Sequence, residues 1–192
     1  MRATLGYIAL CLPLLATTAH ADCADEIRAV MTRALTSGPY IAHTTIKTGD
    51  SSEDILVEAV PPGAVHSWYS TGETVNEMIM IDGRTWGKEL GAWVGHPTAG
   101  VLANQTVQGS LKFLDRVTEP VCKGGMVANG VTFTGYTYFY AAESFASVTT
   151  ILVDRETGLP KYILSRDHIG DTTTRKVTTY SFGVALEIVA PN

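Results

Sequence analysis

From Asp22 to Ser37 the apolar residues Ile27, Val30, Met31, Ala34 and Leu35 recur at helical spacing, with Asp22 placed to cap the start and Gly38-Pro39 placed to end it. The pattern predicts one amphipathic helix. Beyond it the period falls to two, and strand-like segments run near 40–48, 53–60, 64–70, 74–81 and 84–89. Their separators are turn chemistry: Gly49-Asp50-Ser51-Ser52, Pro61-Pro62-Gly63, Thr71-Gly72 and Asp82-Gly83. Between Pro97 and Val117 the residues Val101, Leu102, Val107, Leu111 and Leu114 give a weaker helical signal broken at Gly109, read as one or two short helices. Strands resume near 121–128, 131–141, 147–154, 159–168 and 172–182, with Asn129-Gly130 as a type I′ hairpin turn. The elements add up to an α+β fold: a large curved antiparallel sheet, an incomplete β-barrel of about ten strands, wrapped around two or three helices.

Several strands are apolar on both faces. In the hairpin 147–165, Ile151 and Val153 alternate with Val148 and Leu152, and Ile163 alternates with Tyr162 and Leu164. A half-solvated antiparallel strand shows one polar face, so both faces of this one require cover. Thr74–Ile81 repeats the pattern, with Val75, Ile79 and Ile81 on one side and Met78 and Met80 on the other. The segment 131–140 sets Val131, Phe133 and Phe139 against Tyr136, Tyr138 and Tyr140. Two or three short helices are too few to blanket so much surface, which points to an internal cavity for an apolar ligand. Candidate ligand contacts are the adaptable thioethers Met78 and Met80, the aromatic set Trp68, Trp86, Trp93, Tyr136, Tyr138, Tyr162 and Tyr180, and the hairpin residues Leu152 and Leu164.

The first 21 residues change the setting. Arg2, an apolar run from Leu5 to Leu15 and Ala19-His20-Ala21 before Asp22 form a Sec-type signal peptide, with the mature domain spanning residues 22–192. The run is short of the roughly 20 apolar residues of a membrane span and is broken by Pro13. Neither Cys11 nor Cys23 sits in a lipidation context, so the expected product is periplasmic and free of a lipid anchor. Once Cys11 leaves with the signal, Cys23 and Cys122 remain, and two cysteines in an oxidising compartment are expected to pair. With 19 acidic against 14 basic side chains and no basic run, the composition argues against nucleic acid and against anionic membrane surfaces as partners.

Catalytic and metal chemistry find little support. His43, His66, His96 and His168 are isolated from one another, with no H-x-x-x-H or C-x-x-C spacing, so neither metal nor cofactor is expected. Ser110 lacks a G-x-S-x-G elbow, and Gly124-Gly125 reads as a bend at the start of a strand. Carboxylates such as Asp54, Glu58, Glu77 and Glu89 read as a solvated face, and Asn104-Gln105-Thr106 matches a glycosylation sequon. The chain is not expected to be an enzyme.

The order of parts resembles the periplasmic lipoprotein-carrier superfamily, with its LolA/LolB-like, LppX-like and RseB-like members. The resemblance rests on the N-terminal helix, on Ile81-Asp82-Gly83-Arg84-Thr85-Trp86, on Gly91-Ala92-Trp93, on Asp154-Arg155-Glu156-Thr157-Gly158-Leu159-Pro160 and on Tyr180-Ser181-Phe182. It implies a half-barrel whose concave side receives lipid or a lipoprotein acyl chain. An envelope sensor or protein-interaction module of the same fold, docking an envelope protein, is the alternative.

Overall fold

The computed structural model describes residues 18–96 and 114–191 of the chain. It contains α1 (Thr18–Thr36) and eleven strands: β1 (Tyr40–Thr48), β2 (Ser51–Val60), β3 (Ala64–Thr71), β4 (Thr74–Ile81), β5 (Arg84–Glu89), β6 (Ala92–His96), β7 (Thr118–Ala128), β8 (Val131–Ala142), β9 (Phe145–Val153), β10 (Pro160–Ile169) and β11 (Thr172–Phe182). All strands join one antiparallel sheet in the order β6-β5-β4-β3-β2-β1-β11-β10-β9-β8-β7. Two meanders therefore meet where the first strand pairs with the last. Hydroxyl pairs Thr44–Thr178 and Thr48–Thr174, each at 2.8 Å, stitch that seam.

The sheet is open, with β6 and β7 as its edges, and it fits the expected half-barrel. Two expectations change. The helix count among the described residues is one rather than two or three, because most of the mid-chain stretch, together with the sequon and Ser110, lies outside those residues, as do residues 1–17. β6 lies outside the strands the pattern predicts: Leu90-Gly91 turns the chain back with φ of 49° and 86°, and Leu is not a residue that advertises such a turn. Where the sequence did advertise turns, the backbone follows: Asp82-Gly83 and Asn129-Gly130 both take the paired positive φ of type I′.

The core forms where α1 crosses one face of the sheet. Cys23, Ile27, Val30 and Ala34 fall on one helical stripe and are buried. Cys23, Ile27 and Val30 pack with Tyr136, Tyr138, Ile151 and Val153 from β8 and β9, and Leu114 completes the cluster. Full burial of each aliphatic side chain contributes about 1.5–3 kcal/mol as an upper estimate. The Cys23–Cys122 disulfide, with Cα atoms 5.6 Å apart, ties the helix to β7 across 99 residues of sequence. Gly38, at φ 102°, ends the helix and releases the chain into β1.

Candidate functional site

Strand register assigns every side chain to a face. The row Cys122, Tyr136, Ile151, Ile163, Thr178, Thr44, Ile55 and Tyr69 runs across eight strands on the face that carries α1. Two parallel rows extend that face away from the helix: Tyr180, Ala42, Val57, Ser67 and Met78, then Phe182, Tyr40, Ala59, Val65 and Met80. Their chemistry is consistent. Small Ala42 and Ala59 form a low floor, flanked by rings on one side and thioethers on the other. Tyr180 and Phe182 lie almost parallel at 5.7 Å, with Tyr40 within 6.0 Å of both. Burial pushes the phenols of Tyr40, Tyr138 and above all Tyr180 upward from their ordinary pKa, as expected for hydroxyls in an apolar setting.

The same face turns polar at its far end. Ser147 Oγ donates to Asp167 Oδ1 at 2.7 Å, and Lys176 Nζ lies 2.6 Å from Asp167 Oδ2. Asp167, Ser147, Thr149 and Thr174 are all buried there. A buried carboxylate is tolerated only when paired in this way. The face thus runs from apolar rows beside the rings to a paired charge.

The eleven candidate ligand residues divide between the two faces. Met78, Met80, Tyr136, Tyr138 and Tyr180 share the helix face; Trp68, Trp86, Trp93, Leu152, Tyr162 and Leu164 stand on the opposite one. One cavity on one face cannot be lined by all of them. Tyr162 meets Phe133 edge-on at 5.8 Å, and Leu152, in register with both Tyr162 and Gly135, is buried there. The hairpin's second face is therefore covered by protein near Leu152 and open at Leu164, which is 37% exposed.

The tryptophans belong to a polar cluster on β3 to β6. The His66 ring lies 3.7 Å from that of Trp68, its Nε2 is 2.9 Å from Glu77, and Lys88 bonds the other Glu77 oxygen at 2.6 Å while lying 5.5 Å over Trp93. The Lys88 hydrogen bond, followed by that of His66, holds the Glu77 carboxyl below the usual carboxylate range. Glu77 is thus half of a network, where the sequence suggested a solvated face. Histidine–carboxylate pairs of this kind come from cross-strand neighbours, so no linear motif announces them. Among the described residues no group of three His, Cys, Asp or Glu side chains is placed to hold a metal ion.

The Asp154–Pro160 motif explains itself in three dimensions. Asp154 Oδ1 accepts from the N–H groups of Glu156 and Thr157 at 3.1 and 2.8 Å and from the Thr157 hydroxyl at 2.9 Å. Gly158 takes φ 67°, and Pro160 is buried as β10 begins. Arg33 of α1 donates to the Gly158 carbonyl at 3.2 Å, and Arg155 donates to the carbonyl of Gly124. Gly124-Gly125 lies in a bulge inside β7, where the pairing register shifts between Lys123 and Met126, and not at the start of the strand. The turn clamps helix to sheet edge.

No protein-family model and no curated protein matches the chain in sequence. Its structure is similar to that of lipoprotein LppX of Mycobacterium tuberculosis, at 19% identity and TM-score 0.53, over 87% of this chain and 99% of that one. LprF of Mycobacterium bovis gives 13% identity and TM-score 0.56, over 90% and 99%. MucB gives 19% identity and TM-score 0.50, over 87% of this chain and 61% of that one. At these identities the likeness is one of fold, and the chain has the LolA/LppX/RseB-like fold.

Proposed function

We propose that the protein is an exported, non-catalytic binder or carrier of a hydrophobic ligand, a lipid or a lipoprotein acyl chain, held on the helix face of the half-barrel. One observation supports this above the rest: the apolar rows ending at Met78 and Met80 continue well past α1, whose contacts reach β7 and β10. An acyl chain of roughly 16 carbons laid along them gains on the order of 10 kcal/mol gross, before ordering costs reduce it. The fold shared with lipoprotein LppX agrees with this reading. Periplasmic export with removal of residues 1–21 belongs to the same proposal, as does the absence of a lipid anchor.

Native mass spectrometry of the gently purified exported protein tests it. A bound lipid, and thermal stabilisation by fatty acid or phospholipid, are expected. A protein that carries no extractable lipid and gains no stability from either overturns the reading. The second reading, an envelope sensor or interaction module, draws on the open edges of the sheet, where β6, an edge strand among the described residues, offers one side to a partner strand. Recovery of a stoichiometric envelope partner, with no lipid, favours it.

A further inference from the structure

The face opposite α1 holds a row of cations that the sequence scatters. Lys47 on β1 stands in register with Arg175 on β11, and Arg175 with Arg166 on β10. Three positive side chains therefore line up across three adjacent strands, all exposed. Directly opposed like charges destabilise a sheet. Among the described residues none of the three has an ion-pair or hydrogen-bonding partner. Asp54, a carboxylate on the same face, is engaged with His43 Nε2 at 3.1 Å and the Thr45 hydroxyl at 2.9 Å.

Beside this row the sheet is apolar and uncovered. Arg166 pairs in register with Val148, and the neighbouring row sets Val177 against Leu164. Val148, Leu164 and Val177 are 45%, 37% and 42% exposed, and they floor an open hollow of about 420 Å³ with Arg166 and Arg175 on its rim. Opposed like charges cost the sheet stability, and a contiguous exposed apolar patch marks an interaction site. The two halves of the hollow ask for one molecule with two ends, an anion joined to hydrocarbon.

We infer that this hollow is a docking site for the anionic head group of a bilayer lipid, the phosphate meeting Arg166 and Arg175 on the rim, with Lys47 next in the row beside Arg175, and the first methylenes of the chains meeting Val148, Leu164 and Val177. A membrane surface concentrates this chemistry, and near it each cation of the row contributes about 1 kcal/mol, to which the apolar floor adds about 0.8 kcal/mol per methylene buried. The acidic composition of the whole chain is no obstacle, because attraction at the surface is decided within a Debye length of roughly 8 Å and not by net charge. The site lies on the opposite face from the proposed ligand rows, so it stands or falls separately from them.

The test is sedimentation of the exported protein with vesicles of phosphatidylcholine alone and of phosphatidylcholine containing one-third phosphatidylglycerol. Binding to the second and not the first is expected, weakening as salt is raised. Arg166→Gln with Arg175→Gln should weaken it roughly 25-fold, at about fivefold per cation removed. Because that double variant relieves like-charge repulsion, it should fold with unchanged or higher thermal stability. Leu164→Ser should weaken binding while leaving its salt dependence in place. Equal binding to both vesicles, no binding to either, or anionic binding that the arginine variant leaves intact overturns the inference. So does polyglutamate binding at the same arginines with no vesicle binding. Lipid found by native mass spectrometry in a protein that ignores vesicles leaves the helix-face ligand standing and removes only this site.

Discussion

Asp154 carries more of the fold than its place in a surface turn suggests. Its carboxylate is held below the ordinary range first by the Thr157 backbone N–H and then by the Thr157 hydroxyl. A depressed folded-state pKa means that the charged form stabilises the turn above the unfolded value, near pH 4, and that this contribution is lost as pH falls through the folded value. Asp154→Asn keeps an accepting oxygen and loses the charge. Melting curves between about pH 2 and 6 should show the variant less stable than the parent at the upper end, and the difference closing at the acid end. At the opposite extreme of burial, Ile151 is 0% exposed beneath α1, and Ile151→Ala should cost about 2–5 kcal/mol in denaturant unfolding. Such residues differ in legibility. The Asp-x-x-Thr-Gly-Leu-Pro turn was readable because it bonds to itself, whereas the ties of Arg33 and Arg155 join segments far apart in sequence.

Among the elements, α1 depends on attachment. Its buried stripe is short and its partners lie on β8 and β9, so the disulfide to β7 and the Arg33 contact fix its position. Replacing Cys23 and Cys122 by Ala, or reducing the bond, releases a loop of 99 residues' separation. A loss of about 2–5 kcal/mol is expected, read as a lower denaturation midpoint with the far-ultraviolet spectrum of the sheet retained below it. The pairing itself was legible from Cys23 and Cys122 once an oxidising compartment was expected. Strand boundaries were legible too, because period-two patterning and Gly-containing turns mark both ends of an antiparallel strand. β6 escaped because Leu90, fully exposed in its turn, gives no turn signal, and the β7 bulge escaped because Gly124-Gly125 reads the same within a strand as before it.

For the whole molecule, what the sequence withheld is the assignment of faces. Period-two alternation shows that two apolar faces exist, but only the pairing of β1 with β11 says which residues of the two meanders share one. Within the first meander the registers of β3 with β4 and of β4 with β5 do the same for the methionines and tryptophans, which look like one lining in the sequence and stand back to back in the sheet. Register is also why three cations distant in sequence went unnoticed as a row. The division makes a sharp prediction for ligand binding. A lipid present at about 100 times its dissociation constant stabilises its binder by about 2.7 kcal/mol, roughly 5–10 °C in melting temperature for a domain of this size. Met78→Glu sets an unpaired carboxylate among the apolar rows of the helix face, where burying it under an acyl chain costs several kcal/mol, enough to cancel that stabilisation, so the thermal gain should vanish. Trp68→Ser, on the opposite face, disturbs the His66 ring contact and leaves the helix face untouched. Its thermal gain with lipid should equal the parent's, even if its starting stability is lower. The reverse result, a gain lost with Trp68 and kept with Met78→Glu, would move the ligand to the tryptophan face and take the carrier reading of the helix face with it.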